Sequence, residues 1–133
     1  MSGWQDGFAQ QSQTTFAAEF ADDIVLDATA LAAPVQGRDL VATVMATASS
    51  IYETLEFTES AQAGSTSYLQ WRATAFGGMQ IRGVTILERD AAGKITGAAI
   101  HHRPLPAVLR FSAEIQDRLS GVLSAEHFIA DAP

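Results

Sequence analysis

The spacing of apolar side chains divides this chain into two helical ends and a strand-rich middle. Trp4 and Phe8, then Phe16 and Phe20, stand four apart, as on one face of helical turns. The polar stretch Gln10 to Thr15 separates the two pairs, which predicts a short or interrupted first helix. Ile24-Val25-Leu26 follows Asp22-Asp23 as a β-rich run ending near Thr29, and Pro34 and Gly37 mark the loop beyond it. Leu40, Val41, Val44, Met45, Ala48, Ile51 and Tyr52 then recur at threes and fours, predicting an amphipathic helix with Asp39 in its first turn, where the helix dipole favours an acid. After Glu53 the period becomes that of strands: Leu55 to Ala61, Ser67 to Phe76, Gln80 to Glu88 and Ile95 to His102. Pro104 and Pro106 end the pairing. Val108, Leu109, Phe111, Ser112, Ile115, Leu119 and Val122 resume a helical period, with a looser tail after Ser124.

Two turns suggest how the strands pair. Gly77-Gly78, between Phe76 and Met79, reads as a two-residue hairpin loop, and Asp90-Ala91-Ala92-Gly93 as a four-residue loop. Counting outward from these loops pairs Ala73 with Arg82 and Arg82 with His101. Alternation then places Leu69, Trp71, Ala73, Ala75, Arg82, Val84, Ile86 and His101 on one face, and Tyr68, Gln70, Arg72, Phe76, Ile81, Leu87, Ile100 and His102 on the other. The first face has an apolar middle with Arg82 and His101 meeting at one end, the usual form of a ligand pocket. A one-residue slip in the longer loop exchanges His101 for His102.

Composition narrows the chemistry. A chain of 133 residues, 47% hydrophobic, is expected to form a single domain over residues 1–133 with one core. It contains no cysteine, which removes disulfides, thiolate nucleophiles and Cys-based metal sites. Eight Lys and Arg against fifteen Asp and Glu give a net charge of -7, so nucleic acid is not an expected partner. The first residues show neither a basic stretch nor an apolar run, and no window approaches the ~20 apolar residues of a membrane span. A cytoplasmic protein with no membrane partner is the expectation. Phosphate-cradling glycine loops, G-x-S-x-G elbows and H-E-x-x-H helices are absent. His101 and His102 point to opposite faces of one strand, and His127 is remote, so neither a metal nor a cofactor is expected.

Three local words, taken in order, resemble the NTF2-like superfamily, in particular its SnoaL-like, ketosteroid-isomerase-like branch. They are Phe20-Ala21-Asp22-Asp23-Ile24-Val25-Leu26-Asp27, then Pro34-Val35-Gln36-Gly37-Arg38-Asp39, then Gly83 through Ile95 (GVTILERDAAGKI). The resemblance implies an α+β fold: a cone in which a curved mixed or antiparallel sheet wraps around helices and encloses a pocket. It does not imply one activity, since such folds host isomerases, epoxide hydrolases, cyclases and binding modules. Matching the ketosteroid-isomerase pattern through Asp22-Asp23 puts that family's general base at Ala28, with Asp27 one residue earlier on the opposite face. The first helix offers no tyrosine as oxyanion donor. The Arg and two Asp of epoxide-hydrolase-like members are not found in the sheet, and the last strand carries Ile100, His101, His102 and Arg103 where the cyclases use an acid.

The candidates for chemistry are therefore His101 as a proton acceptor, Arg82 as a clamp for an anionic or carbonyl group, and Asp27 as an acid should the first strand be bulged. Each has a plainer role: a hydrogen-bonded strand-end histidine, a salt-bridged arginine and a solvated or loop-capping aspartate. Trp71, Val84 and Ile86, with Arg82, are the candidate ligand contacts. The expected partner is a small apolar molecule carrying a carbonyl or carboxylate, bound or turned over by proton transfer; the alternative is a non-catalytic accessory or dimerisation module. A homodimer through the outer sheet face is expected from the large side chains placed there, Phe76, Tyr68, Ile81, Leu87 and Ile100.

Overall fold

The computed structural model describes residues 3–129. Two short helices, α1 (Gly3–Gln10) and α2 (Gln13–Glu19), lead directly into β1 (Phe20–Ala28). The polar stretch does interrupt the first helix: Ser12 caps α2, its hydroxyl accepting from Thr15 N at 3.2 Å. Trp4, Phe8, Phe16 and Phe20 meet edge to face or tilted, with ring centroids 5.3–6.2 Å apart. Gly7 makes this packing possible, since a Cβ there would stand 2.7 Å from the Phe16 ring.

A two-residue strand, β2 (Val35–Gln36), precedes helix α3 (Arg38–Ile51), which buries Val41, Val44, Met45, Ala48 and Ile51 as its spacing predicts. Arg38 ties the helix start to β1, donating from Nε to Phe20 O at 3.1 Å and pairing with Asp22. The long strands follow: β3 (Thr54–Ala63), β4 (Thr66–Ala75), β5 (Met79–Arg89) and β6 (Ile95–Arg103). Helix α4 (Leu105–Leu119) and a 3-10 turn (Ala125–His127) close the described chain. The six strands form one sheet in the order β2-β1-β6-β5-β4-β3, antiparallel except where β1 runs parallel to β6. Ladder shifts on β1, β3 and β5/β6 bend this sheet. Its inner face receives α3 and α4; Ser112 of α4 reaches across to donate to Ala30 O at 2.7 Å.

The register differs from the sequence expectation by two residues between β5 and β6, which keeps the faces, and by one residue between β4 and β5, which reverses them. Ala73 lies opposite Ile81, and Arg82 lies opposite Arg72. The hairpin loop contains three residues, because Phe76 takes a left-handed backbone conformation (φ 55°) and leaves the strand with Gly77 and Gly78. Three contacts from elsewhere in the chain hold it. The Glu53 carboxylate accepts from Gly77 N and Gly78 N at 3.1 and 2.9 Å, and the Arg110 guanidinium lies 4.8 Å from the Phe76 ring centre. Adding one residue to the loop turns every side chain of β5 over relative to β4.

Consequently β4 keeps its expected inner face of Leu69, Trp71, Ala73 and Ala75, while β5 and β6 present Ile81, Gly83, Thr85, Leu87, Ala98, Ile100 and His102 beside them. The expected outer-face patch is corrected accordingly. Ile81, Leu87 and Ile100 are buried inside, and the outer face instead exposes Tyr68 and Val84 among polar and charged neighbours. No helix among the described residues is long and apolar enough to cross a membrane.

Candidate functional site

The inner face of the sheet, α3 and α4 enclose an apolar cavity whose free volume is about 30 Å³. Phe8 of α1, Met45 and Ala48 of α3, Leu55 and Phe57 of β3, Trp71 of β4, Ile100 of β6 and Phe111 and Ile115 of α4 contribute most of its wall. Phe8, Tyr52, Leu55 and Phe57 also border an open hollow beside Gln5, Ala9 and Glu53. Among the described residues no Asp, Glu, Lys or Arg lines the cavity.

Its polar side-chain atoms come from Tyr52, Trp71, Thr85 and His102. Trp71, Gly83 and His102 are successive partners across β4, β5 and β6, so their inner positions form one row. Gly83 leaves that row open at its centre, and the Trp71 indole occupies the gap: a Cβ at position 83 would lie 2.6 Å from Trp71 Cζ2. From there the indole donates its N–H to Thr85 Oγ1 at 3.1 Å. A hydroxyl that accepts this bond keeps its own proton to donate.

His102 sits at the other end of the row. Its ring meets Trp71 and Phe111 edge-on, with centroids 5.9 and 5.8 Å away. Both ring nitrogens are buried without a hydrogen-bond partner. Burial among aromatic rings disfavours the cation and lowers the imidazole pKa to about 4, with His101 adding in the same direction. His102 is therefore neutral at neutral pH, one nitrogen a donor and the other an acceptor. Tyr52, at the end of α3, stacks on Phe111 at 5.0 Å and meets Trp71 edge-on at 5.8 Å. Burial raises its pKa, which keeps it a phenol.

Of the residues predicted from the sequence, only Trp71 lines this cavity. Arg82, Val84 and His101 lie on the outer face: Arg82 and His101 are exposed and Val84 is 37% exposed. Ile86 shares that face, paired between Tyr68 and Ala99. Arg82 and His101 do lie on one face, but they are diagonal neighbours, Arg82 facing Arg103 and His101 facing Val84. The cause is the three-residue loop, which moved β5 and β6 over together. Asp27 is exposed while Ala28 lines the cavity, so an aliphatic residue holds the position where the ketosteroid-isomerase pattern has its base. Sequence reasoning placed His101 ahead of His102 and passed over Tyr52. The one-residue alternative in register named the right histidine but the wrong loop: the added residue is Phe76, in the shorter β4–β5 loop. Among the described residues no three His, Asp or Glu side chains are arranged to hold a metal ion.

No protein-family model matches the sequence, and no curated protein matches it. Solved structures do match the fold. An uncharacterised protein with a cystatin-like fold from Silicibacter pomeroyi DSS-3 is 19% identical with a TM-score of 0.83, covering 87% of this chain and 82% of that one. A steroid delta-isomerase from Pseudomonas aeruginosa is 19% identical with a TM-score of 0.81, covering 92% and 90%. An NTF2-like protein of unknown function from Mesorhizobium loti is 20% identical with a TM-score of 0.68, covering 76% and 85%. The fold is that of the NTF2-like proteins, as the sequence words implied.

Proposed function

We propose that this protein binds a compact, neutral, mostly apolar molecule carrying a carbonyl group, held in the inner cavity with His102 as its polar anchor. One observation carries the reading: a neutral imidazole, buried and without a partner at either nitrogen, lines a mostly apolar space. An unmade hydrogen bond at a buried polar group costs about 1–3 kcal/mol, and a ligand oxygen accepting from the imidazole N–H removes part of that cost. Thr85 and Tyr52 are further hydroxyl donors in the same wall.

The wall also selects by charge. A carboxylate would enter a site with no cation to pair it, since Arg82 is outside, and an unpaired buried charge is strongly unfavourable. A ketone or enone carries the same acceptor without the charge. Size selects as well: drug-sized ligands occupy pockets of ~300 Å³ or more, well beyond the present free volume of about 30 Å³. A small ring compound, admitted with some repacking at Phe8 and Phe57, is the best match.

Binding rather than turnover follows from the same list of side chains. Proton transfer next to a carbonyl needs a base near the ligand carbon as well as a donor to its oxygen. A histidine with a pKa of about 4 is a weak base, and no carboxylate shares the cavity. The steroid isomerase among the structural neighbours suggests a carbonyl compound as ligand type, and Ala28 argues against that enzyme's reaction here.

Thermal-shift measurements with small cyclic ketones and their carboxylic-acid analogues test the proposal, because a ligand that binds only the folded state raises the melting point. Ketones should raise it and acids should not, and His102→Phe should remove the ketone effect. Acids binding better than ketones, or ketone binding unchanged in His102→Phe, would overturn it.

A further inference from the structure

The outer face of the sheet carries a second arrangement, around a hollow that shares Trp71 and His102 with the lining of the cavity. Glu56, Arg72, Arg82 and Arg103 are successive direct partners across β3, β4, β5 and β6. Three of the chain's eight Lys and Arg thus stand in one row on a protein of net charge -7. Arg72 is neutralised by Glu56, whose Oε2 accepts from its Nε and Nη2 at 3.0 and 2.9 Å. Arg82 and Arg103 have neither an ion pair nor a side-chain hydrogen bond among the described residues. Direct cross-strand partners bring their Cβ atoms within ~4.5–5.5 Å, and like charges so placed destabilise the sheet. The row next to it, Gln70–Val84–His101, adds an amide and an exposed imidazole. Apart from Glu56, these groups line, with Thr58 and Glu59, an open hollow of about 510 Å³ whose lining also takes in Trp71, Gly83 and His102. Among the described residues Glu59 is the one carboxylate of its lining. It pairs with Gln70 at the β3 end, away from Arg103 and His101.

We infer that the hollow binds a phosphate-type oxyanion between Arg82 and Arg103, with His101 at its side. Two adjacent unpaired guanidinium forks present parallel N–H donors, the geometry that planar or tetrahedral oxyanions accept two at a time. Two unpaired cations side by side match a dianion better than a single carboxylate. The overall acidity of the chain does not prevent this, because beyond about 8 Å at physiological salt other charges are largely screened. The anion can be free phosphate or the phosphate group of an organic ester.

The test is a titration of the full chain with inorganic phosphate and with phenyl phosphate at constant ionic strength, chloride serving as control. Backbone amide and arginine side-chain resonances are followed, and the association state is checked by sedimentation. Phosphate should produce saturable shifts at Arg82, His101 and Arg103 that chloride does not. Arg82→Gln or Arg103→Gln should weaken binding about tenfold, and Arg82→Lys, which keeps the charge but loses the fork, should weaken it less. Arg118→Gln, on α4 and outside the lining of the hollow, should leave phosphate binding unchanged. Tighter binding of phenyl phosphate identifies an organic ester as the source, and equal binding identifies the free ion. Shifts that do not saturate or that match chloride overturn the inference. So does a hollow perturbed only by raising protein concentration, which would show a second copy's carboxylates seated on these arginines.

Discussion

Trp71 donates its indole N–H to the Thr85 hydroxyl at 3.1 Å, and it reaches that hydroxyl by lying across Gly83. The relationship links backbone to site: without a side chain at position 83, the indole packs flat on the strand and forms one wall of the cavity, edge-on to His102.

Gly83→Ala should therefore be disruptive despite adding only a methyl group. The new Cβ would meet the His101 carbonyl oxygen and stand 2.6 Å from the indole. Overpacking of this kind costs about 1–3 kcal/mol. Urea denaturation should show that loss, accompanied by a change in tryptophan fluorescence in the folded state. A variant as stable as the parent would mean that Trp71 does not rest on Gly83.

His102 should make stability depend on pH. Its folded pKa, about 4, lies below the ~6.5 of an unfolded histidine, so between these values the unfolded chain holds more protons. Stability is then complete above about pH 6.5 and falls as pH drops toward 4, by on the order of 3 kcal/mol from this group. His102→Phe should flatten that part of the profile. It should also be more stable than the parent at pH 7, since no unpartnered nitrogen remains buried. Equal pH profiles for the two proteins would place His102 in water.

The fold and one wall of the site, Trp71, were legible in the sequence. The helical stripe of α3, the strand succession and the inner face of β4 follow from apolar spacing, and the orientation of Asp27 outward with Ala28 inward follows from strand alternation. What escaped was the position of Phe76. A phenylalanine in the left-handed region is uncommon, and here it is held by Glu53 on the two following amides and by Arg110 over its ring, residues distant along the chain. Local turn rules therefore assign Phe76 to the strand, and the error carries Arg82, Val84 and His101 into the pocket in place of Ile81, Gly83 and His102. The phase between β5 and β6 survived: the observed pairing is displaced by two residues from the expected one, which preserves faces.

The most direct measurement of the central claim is a spectrum of the histidine ring nitrogens in the isotope-labelled full chain, with and without a small cyclic enone. His102 should stay neutral at pH 6, with one protonated and one bare nitrogen. Its ring resonances should shift on enone addition, and those of His101 should not. A His102 ring that titrates near pH 6.5 and ignores the enone would contradict both the buried, neutral anchor and the binding function built on it.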